Sequence, residues 1–571
     1  MPSSVLLATE GTYPYAPGGV STWCAQLIRH LPEIHFSIFA VVMNPYVERP
    51  DQLPANVTRI INVPLWGTQD ASEHRIELSF SDVLQKKHRT TPAMIDRVIL
   101  PLMNQLTDLI LSKGADAEAF GQVIAALHRQ FQFVDYQEAM KSETVWNHFR
   151  VRLVEAGRSG QLPPPTVNDA VQAMGWIFRF FTVLNTPIPE TDVIHSSAAA
   201  FCGLAGVLGK ILYRTPYLLT EHGVYLREQY LSIGRSTASS FAKAFLSSLI
   251  ETVVRCNLHF ADELAPVCLF NGRWERRLGA DPRRIRVVYN GVSPAVFHPG
   301  PPREEPVEDV RVLSVARIDP NKDLETLLRA AQIVHRRQSR VRFLVQGAVS
   351  VPAYHQRVLA LREELGLGAV VEFADFTPDI AGVYRSADIV VQASVSEAFP
   401  YSVVEAMMVG KPVVATEVGG TREALTGCGI LVPAQDPARL AQGILRLVED
   451  PALRTRLGQA ARRRALELFT IDRSVAGFAA AYRRLAGETL RPAGVRTMQE
   501  LALARGYALA RLGWAEQALA QLEAAVDLDP HAAMVPVVLA QMAHLCKDRG
   551  VQQQSFHLIR ARLLEEIAVA G

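Results

Sequence analysis

Four charged residues in the second half of the sequence stand where charge is useful to chemistry. In VLSVARIDPNKDLETLLRAA (312–331), Arg317 follows an apolar, β-branched run and Lys322 stands just ahead of a helical pattern. Two cations at a strand-to-helix turn, beside helix N–H groups that lack intrahelical partners, suit a diphosphate. Taken by itself, that pair fits a solvated basic loop equally well. In SEAFPYSVVEAMMVGKP (396–412), Glu397 lies just before a proline and Glu405 falls later, inside an apolar run. Pro400 suits the first turn of a helix, where its missing N–H would be unpaired anyway. Gly410-Lys411-Pro412 ends that helix after about ten residues. Glu397 is then expected on the strand-to-helix loop, facing a cleft, with Glu405 about one and a half turns into the helix. A buried, unpaired carboxylate is costly, so Glu405 is expected to meet a hydroxyl or a cation. A ribose diol and a protein group both qualify.

The elements that must hold these residues can be read around them. At 571 residues the chain is too long for one ordinary domain. SVLLAT (4–9), a loop ending in PGGV (17–20), the helical STWCAQLIRHL and HFSIFAVVM (35–43) read as a β-loop-α-β unit, the opening of a doubly wound sheet. From roughly 70 to 182 the apolar residues recur at helical spacing, as in MIDRVILPLMNQLTDLILSKG (94–114), and predict a mostly helical insertion. The sheet pattern resumes with DVIHSS (192–197), PYLLTEHG (216–223), LHFADELAPV (258–267) and RIRVVYNGV (284–292). A Pro- and acid-rich stretch, 293–309, marks a boundary. Beyond it VRVLSVAR, VRFLVQGA, VVEFADF, DIVVQAS, PVVATE and GILVPA form a second α/β series. The expected fold is α/β, with two Rossmann-like domains (1–292 and 293–468) whose sheets face each other across a cleft at their carboxyl ends. The last segment, 497–571, differs. ARGYALARLGWAEQALAQLEAAVDLDP (504–530) resembles a tetratricopeptide helical hairpin, with a degenerate second copy over 539–566. Such all-α hairpins are expected to pack on the rest of the chain or to dock onto a partner's repeats.

Composition narrows the function. A formal net charge of +2 gives no electrostatic case for nucleic-acid binding. The six cysteines are scattered without a CxxC pair and read as small buried hydrophobes in a reducing compartment. MPSSVLLATEG lacks a basic n-region, and the longest apolar run, AAAFCGLAGVLGKIL (198–212), is shorter than a membrane span and reads as a buried helix. A cytoplasmic protein is expected. No metal is expected either: Asp379 reads as a turn residue and Asp388 as a strand-edge residue.

Arg-x4-Lys after a first strand, Glu-x7-Glu after a later one, and a VGG-x2-E turn, in this order, resemble the retaining family-4 glycosyltransferases of the GT-B fold. The matching residues are Arg317, Lys322, Glu397, Glu405, Gly419, Gly420 and Glu423, with Asn290-Gly291-Val292 matching the family's junction element. The resemblance is strong over about residues 284–440. TEGTYPYAPGGVSTW (9–23) and LTEHGVYLREQY (219–230) look like the PelF branch, glycosyltransferases of Pel-type exopolysaccharide systems, which also carry a helical insertion.

What the resemblance implies is transfer of a hexose from a UDP-sugar to a hydroxyl acceptor, a growing exopolysaccharide, with retention and without a cofactor beyond the co-substrate. Arg317 and Lys322 would bind the donor diphosphate and steady the leaving group. Gly18 and Gly19 would let the first loop approach the phosphates or the acceptor. Glu397 and the backbone N–H groups of Phe399 and Tyr401 would face the donor sugar, Glu405 the ribose, and His222 the reacting sugar. Glu221 and Arg227 belong to the same branch motif without an assigned role. Residues 469–490 would form the helix that crosses back to the first domain. Membrane-associated export proteins would be partners through 497–571, recruiting the protein to the inner face of the membrane. Two departures stand out: Pro400 replaces a glycine that the family often shows, and His195 lacks the usual second histidine, which favours a structural or acceptor-side role for it. Two rivals are a glycoside hydrolase using Glu397 and Glu405 as acid and nucleophile, which leaves Arg317 and Lys322 unexplained, and a catalytically degenerate scaffold acting through its helical tail.

Overall fold

The structure is a computed structural model that describes residues 2–16, 18–48, 53–67, 79–301 and 309–488. The tetratricopeptide-like segment lies outside the described residues.

Two parallel six-stranded sheets carry the fold. The first contains β1 (Ser4–Glu10), β2 (His35–Val42), β3 (Val57–Pro64), β4 (Val193–Ser196), β5 (Tyr217–Leu219) and β6 (Glu263–Leu264), in the order β3-β2-β1-β4-β5-β6. The second contains β7 (Val310–Val315), β8 (Val341–Gln346), β9 (Val371–Ala374), β10 (Ile389–Gln392), β11 (Val413–Thr416) and β12 (Ile430–Val432), in the order β12-β11-β10-β7-β8-β9. Both run from the third strand through the first to the fourth, fifth and sixth, so each has a switch point beside its first strand. Central strands such as β4, β10 and β11 are buried along their whole length, as parallel sheets covered on both faces require. The α/β architecture of two Rossmann-like domains is therefore the one the sequence predicts. Between β3 and β4 the chain is helical from Phe80–Arg89 through Val167–Phe180. These helices and the 3-10 turn after them bury Phe120, Phe131 and Phe181 in one continuous core with one face of the first sheet.

Three stretches differ from the pattern read in the sequence. Val57–Pro64 is a full strand that the apolar runs did not mark; its pattern is half-exposed because it lies at the sheet edge. Residues 258–267 are not one strand: the helix Ser240–Phe260 occupies their start, leaving only Glu263–Leu264 extended in the sheet. Residues 284–292 form no named strand. Arg286 and Val288 donate to the carbonyls of Leu264 and Pro266, but Pro266 has no N–H to return a bond. The ladder stops at the single bridge Leu264–Ile285.

The chain passes between the domains twice, side by side. Val292 N–H donates to Phe469 O at 2.9 Å and Ile471 N–H to Val292 O at 3.1 Å. Gly291 permits this crossing, since a Cβ there would stand 2.4 Å from the Thr470 carbonyl oxygen and 2.6 Å from Ile471 Cα. The helix Ile471–Glu488 then lies on the first sheet, where Phe478 and Tyr482 pack with Val5, Trp23 and Leu218. His195 is held in that contact: Nδ1 lies 2.7 Å from the Tyr482 hydroxyl and Nε2 2.8 Å from Thr220 Oγ1. With both ring nitrogens engaged and no exposed surface, it serves the core.

Candidate active site

The second domain supplies two loops at the carboxyl ends of adjacent strands. After β7, Arg317 is exposed and its guanidinium makes one long bond, 3.4 Å, to Ser350 Oγ. A short turn, Pro320–Lys322, follows, fixed by the Asp319 side chain accepting from Asn321 N–H. Asp323 caps the helix Leu324–Arg337 by accepting from Thr326 N–H. Lys322 is thus held at the helix's entry. After β10, Glu397 faces it: Lys322 Nζ donates to Glu397 Oε1 at 2.5 Å. The same oxygen accepts from Ser394 Oγ at 2.7 Å and Gln392 Nε2 at 3.2 Å. Val395 N–H donates to Asn321 O at 2.9 Å and ties the two loops together.

Gly419 makes this arrangement possible. It has φ +54°, and a Cβ there would lie 1.6 Å from the Glu397 carbonyl oxygen. Gly420 N–H donates to Ala398 O at 2.6 Å, so the 419–420 turn supports the backbone under Glu397. Glu423 turns the other way. Its carboxylate accepts from Leu269 N–H (2.7 Å) and Phe270 N–H (2.8 Å), the uncapped start of the helix Leu269–Arg277. It clamps the two halves of the chain.

Pro400 is the N-cap of the helix Tyr401–Val409, one position earlier than its expected place in the first turn. The helix ends at Gly410, in the left-handed conformation. The Phe399 ring is buried against Tyr289 and Phe469 at the domain junction, and its carbonyl accepts from Asn290 Nδ2 at 3.4 Å. Tyr401 packs across the cleft on Gly19, and its hydroxyl is buried without a partner. Glu405 does find a hydroxyl: Tyr384 donates to Oε2 at 2.9 Å. Burial pushes its carboxyl up to about 7, against the pull of that hydrogen bond.

The first domain builds the opposite wall. Gly18 caps the helix Gly19–His30 without any side-chain bond, no acidic residue stands in its first turn, and a Cβ at Gly18 would meet nothing within 4 Å. Its free N–H groups and positive dipole end are open to an anion. His222 follows β5 and stacks edge-on against Trp23 of that helix, ring centroids 4.4 Å apart. Its Nε2 is sealed from solvent without a partner. Burial holds its pKa down to about 3, so the ring is neutral. Glu221 is fully buried and, by desolvation, pushed upward.

The geometry therefore joins Lys322 to Glu397, Gly19 to Tyr401, and His222 to the start of the Gly19–His30 helix. It leaves Arg317 extended at the rim and Glu405 facing Tyr384. Three contributors went unread in the sequence. Glu10, at the end of β1, accepts from Cys202 N–H and the Tyr225 hydroxyl, both at 3.1 Å. Tyr384 supplies Glu405's partner. Glu228 faces Glu397 and Lys322 electrostatically, and its place one residue past Arg227, in a motif already marked, was the available signal. Among the described residues no group of three or more His, Cys, Asp or Glu is placed to hold a metal ion, and no helix is long and apolar enough to cross a membrane.

Comparison with known proteins accords with this geometry. Residues 301–464 match the family described as glycosyl transferases group 1, and residues 3–283 match a domain of unknown function, DUF3492. D-inositol 3-phosphate glycosyltransferase of Corynebacterium efficiens is 31% identical over 287 residues, 47% of this chain and 66% of that protein. The enzyme of the same name from Mycobacterium tuberculosis is 31% identical over 315 residues, 52% of this chain and 62% of that protein. The chain thus aligns with slightly less than two thirds of these relatives' length. Among solved structures, Anabaena HepE in complex with UDP and glucose superposes with TM-score 0.52 at 15% identity, over 84% of this chain and 99% of that one. Sucrose-phosphate synthase from Thermosynechococcus elongatus gives 0.54 at 19% identity, over 85% and 99%. The fold is GT-B, and the match to the glycosyl transferases group 1 family falls on its second domain.

Proposed function

We propose that the protein is a retaining glycosyltransferase that moves a hexose from a UDP-sugar to a hydroxyl acceptor. The observation that carries this reading is the Lys322–Glu397 pair, 2.5 Å apart on two loops bound to each other at the switch point of the second sheet. An ammonium and a carboxylate so placed offer one group to a diphosphate and one to sugar hydroxyls.

The donor diphosphate meets Lys322, and Arg317 reaches it from the rim by swinging off its single long bond to Ser350. The open N-terminus of the Gly19–His30 helix adds N–H donors from the other wall. Glu397 accepts hydrogen bonds from the sugar together with the N–H groups of Phe399 and Tyr401, and Glu405 accepts from the ribose. In the reaction the bond from the anomeric carbon to the phosphate oxygen breaks while a bond to the acceptor oxygen forms on the same face. The acceptor's proton passes to the departing diphosphate. Charge grows on that leaving group, and the fixed cations stabilise it there. Neutral His222, half-buried beside Trp23, borders the sugar. No cofactor beyond the co-substrate enters this scheme.

The motif set and the HepE likeness, a protein solved with UDP and glucose, support uracil as the base. The PelF-like first-domain motifs support an exopolysaccharide acceptor and membrane-associated export partners at the inner face of the membrane. The experiment is release of UDP from a panel of UDP-sugars by the wild type, Lys322→Ala and Glu397→Ala. Turnover that depends on both residues is expected; equal turnover in all three proteins sinks the assignment. Sugar release from an oligosaccharide without any nucleotide would point instead to hydrolysis.

A further inference from the structure

We propose that Glu228 sets the charge class of the donor sugar, admitting a neutral hexose and rejecting one that carries a carboxylate. The inference rests on the UDP-sugar reading above and names the substrate class of that same site.

Glu228 lies in the helix Tyr225–Arg235 of the first domain, and that helix is fastened to both donor loops. Arg227 Nη1 donates to Ser396 Oγ, the residue before Glu397. Arg235 Nη1 donates to Asn321 Oδ1 at 3.2 Å, the residue before Lys322. Between these two ties, Glu228 folds its carboxylate back over Gly223, next to His222. The approach is so close that a Cβ at Gly223 would lie 2.1 Å from Glu228 Oε1. Glu228 is an exposed residue whose carboxylate lies against Gly223.

The groups it faces are Glu397, Arg227 and Lys322. Burial raises its carboxyl above the ordinary range, Glu397 raises it further, and Arg227 and Lys322 oppose them. Glu397 already holds the Lys322 ammonium, and Glu228 adds a second carboxylate on the helix tied to the same loops, with Arg227 bonded to Ser396. A neutral hexose presents hydroxyls that donate to both carboxylates. A uronic acid brings a third negative charge to a site whose two cations, Arg227 and Lys322, already offset two carboxylates and the donor diphosphate. Specificity of this kind comes from a repulsive element against the competitor as much as from attraction to the substrate.

The test is calorimetric titration of the full chain with UDP, UDP-glucose and UDP-glucuronate, the last two differing only in a hydroxymethyl against a carboxylate at C6. Wild type should bind UDP-glucuronate at least about tenfold more weakly than UDP-glucose, and Glu228→Gln should shrink that ratio to within about threefold. UDP affinity should stay within about twofold in the variant. Glu228→Asp, which keeps the charge, should retain the discrimination. Glu251→Gln, on the neighbouring helix Ser240–Phe260, should leave it untouched. Raising the salt concentration should narrow the wild-type ratio, since cleft charges are partly screened. Equal affinities for the two nucleotide sugars in wild type, or an unchanged ratio in Glu228→Gln, would overturn the role. Absence of UDP binding in wild type would overturn the donor reading beneath it.

Discussion

The two walls of the cleft are built on opposite principles. The second-domain wall is charged and satisfied. Lys322 and Glu397 bond each other, Ser394 and Gln392 brace the carboxylate, and Val395 N–H ties the loops together. Around His222 and the Gly19–His30 helix the first-domain wall is neutral, with hydrogen-bonding capacity unspent. His222 is neutral with a sealed, unpartnered Nε2, and the Gly19–His30 helix begins without a side-chain cap. A wall that meets a diphosphate can afford fixed charge. Neutral groups whose hydrogen-bonding capacity is unspent strongly favour whatever satisfies them.

The largest way to break this contrast is to disturb the charged wall's support. Gly419→Ala places a Cβ 1.6 Å from the Glu397 carbonyl oxygen at a φ of +54°. It should cost about 3 kcal/mol or more of stability, read as a lowered denaturation midpoint, because the backbone under Glu397 must move.

That wall was also the more legible one. Arg317, Lys322 and Glu397 sit on short strand-to-helix turns, Glu405 in the helix that follows the last of them, and all six second-domain strands were visible as apolar runs. The first wall is assembled by contacts distant in sequence. Trp23 meets His222, and His195 meets Tyr482, pairings no local period encodes. Residues 284–292 show why apolar alternation misleads: the run is extended and half-paired, but Pro266 withholds the donor a ladder needs. Glu405 needed a partner by its burial alone, yet only the fold reveals that Tyr384 provides one. Pro400 was legible as a helix start and misplaced by one residue, since a helix end is set by its cap geometry and not by composition.

A second perturbation targets the neutral wall. His222→Phe keeps the aromatic contact with Trp23 and removes the nitrogens. It should lower kcat by about tenfold or more while leaving UDP affinity within about threefold, a split that separates sugar orientation from diphosphate binding.

Acidity separates the walls further. The Glu405 carboxyl is raised from 4.5 to about 7 in the fold, so its protonated form is the one the fold favours. Its stabilising contribution is complete below 4.5 and is lost as pH rises through 7. His222, depressed from 6.5 to about 3, acts in the other direction: its contribution is complete above 6.5 and is lost as pH falls toward 3. Glu405→Gln should therefore flatten the decline of melting temperature between pH 5 and pH 7 and leave the acid limb in place. The smallest effect is expected at the rim. Ser350→Ala removes one long bond to exposed Arg317 and should change stability by no more than about 0.5 kcal/mol in denaturant unfolding.

The central claim is that Lys322 anchors a nucleoside diphosphate. Titrating UDP into wild type and Lys322→Ala tests it with no need for the acceptor or the sugar. Loss of a charge-assisted bond, with Glu397 left without its cation, should weaken UDP by about thirtyfold or more, roughly 2 kcal/mol. Equal affinity of the two proteins for UDP, or no binding by either, would contradict it.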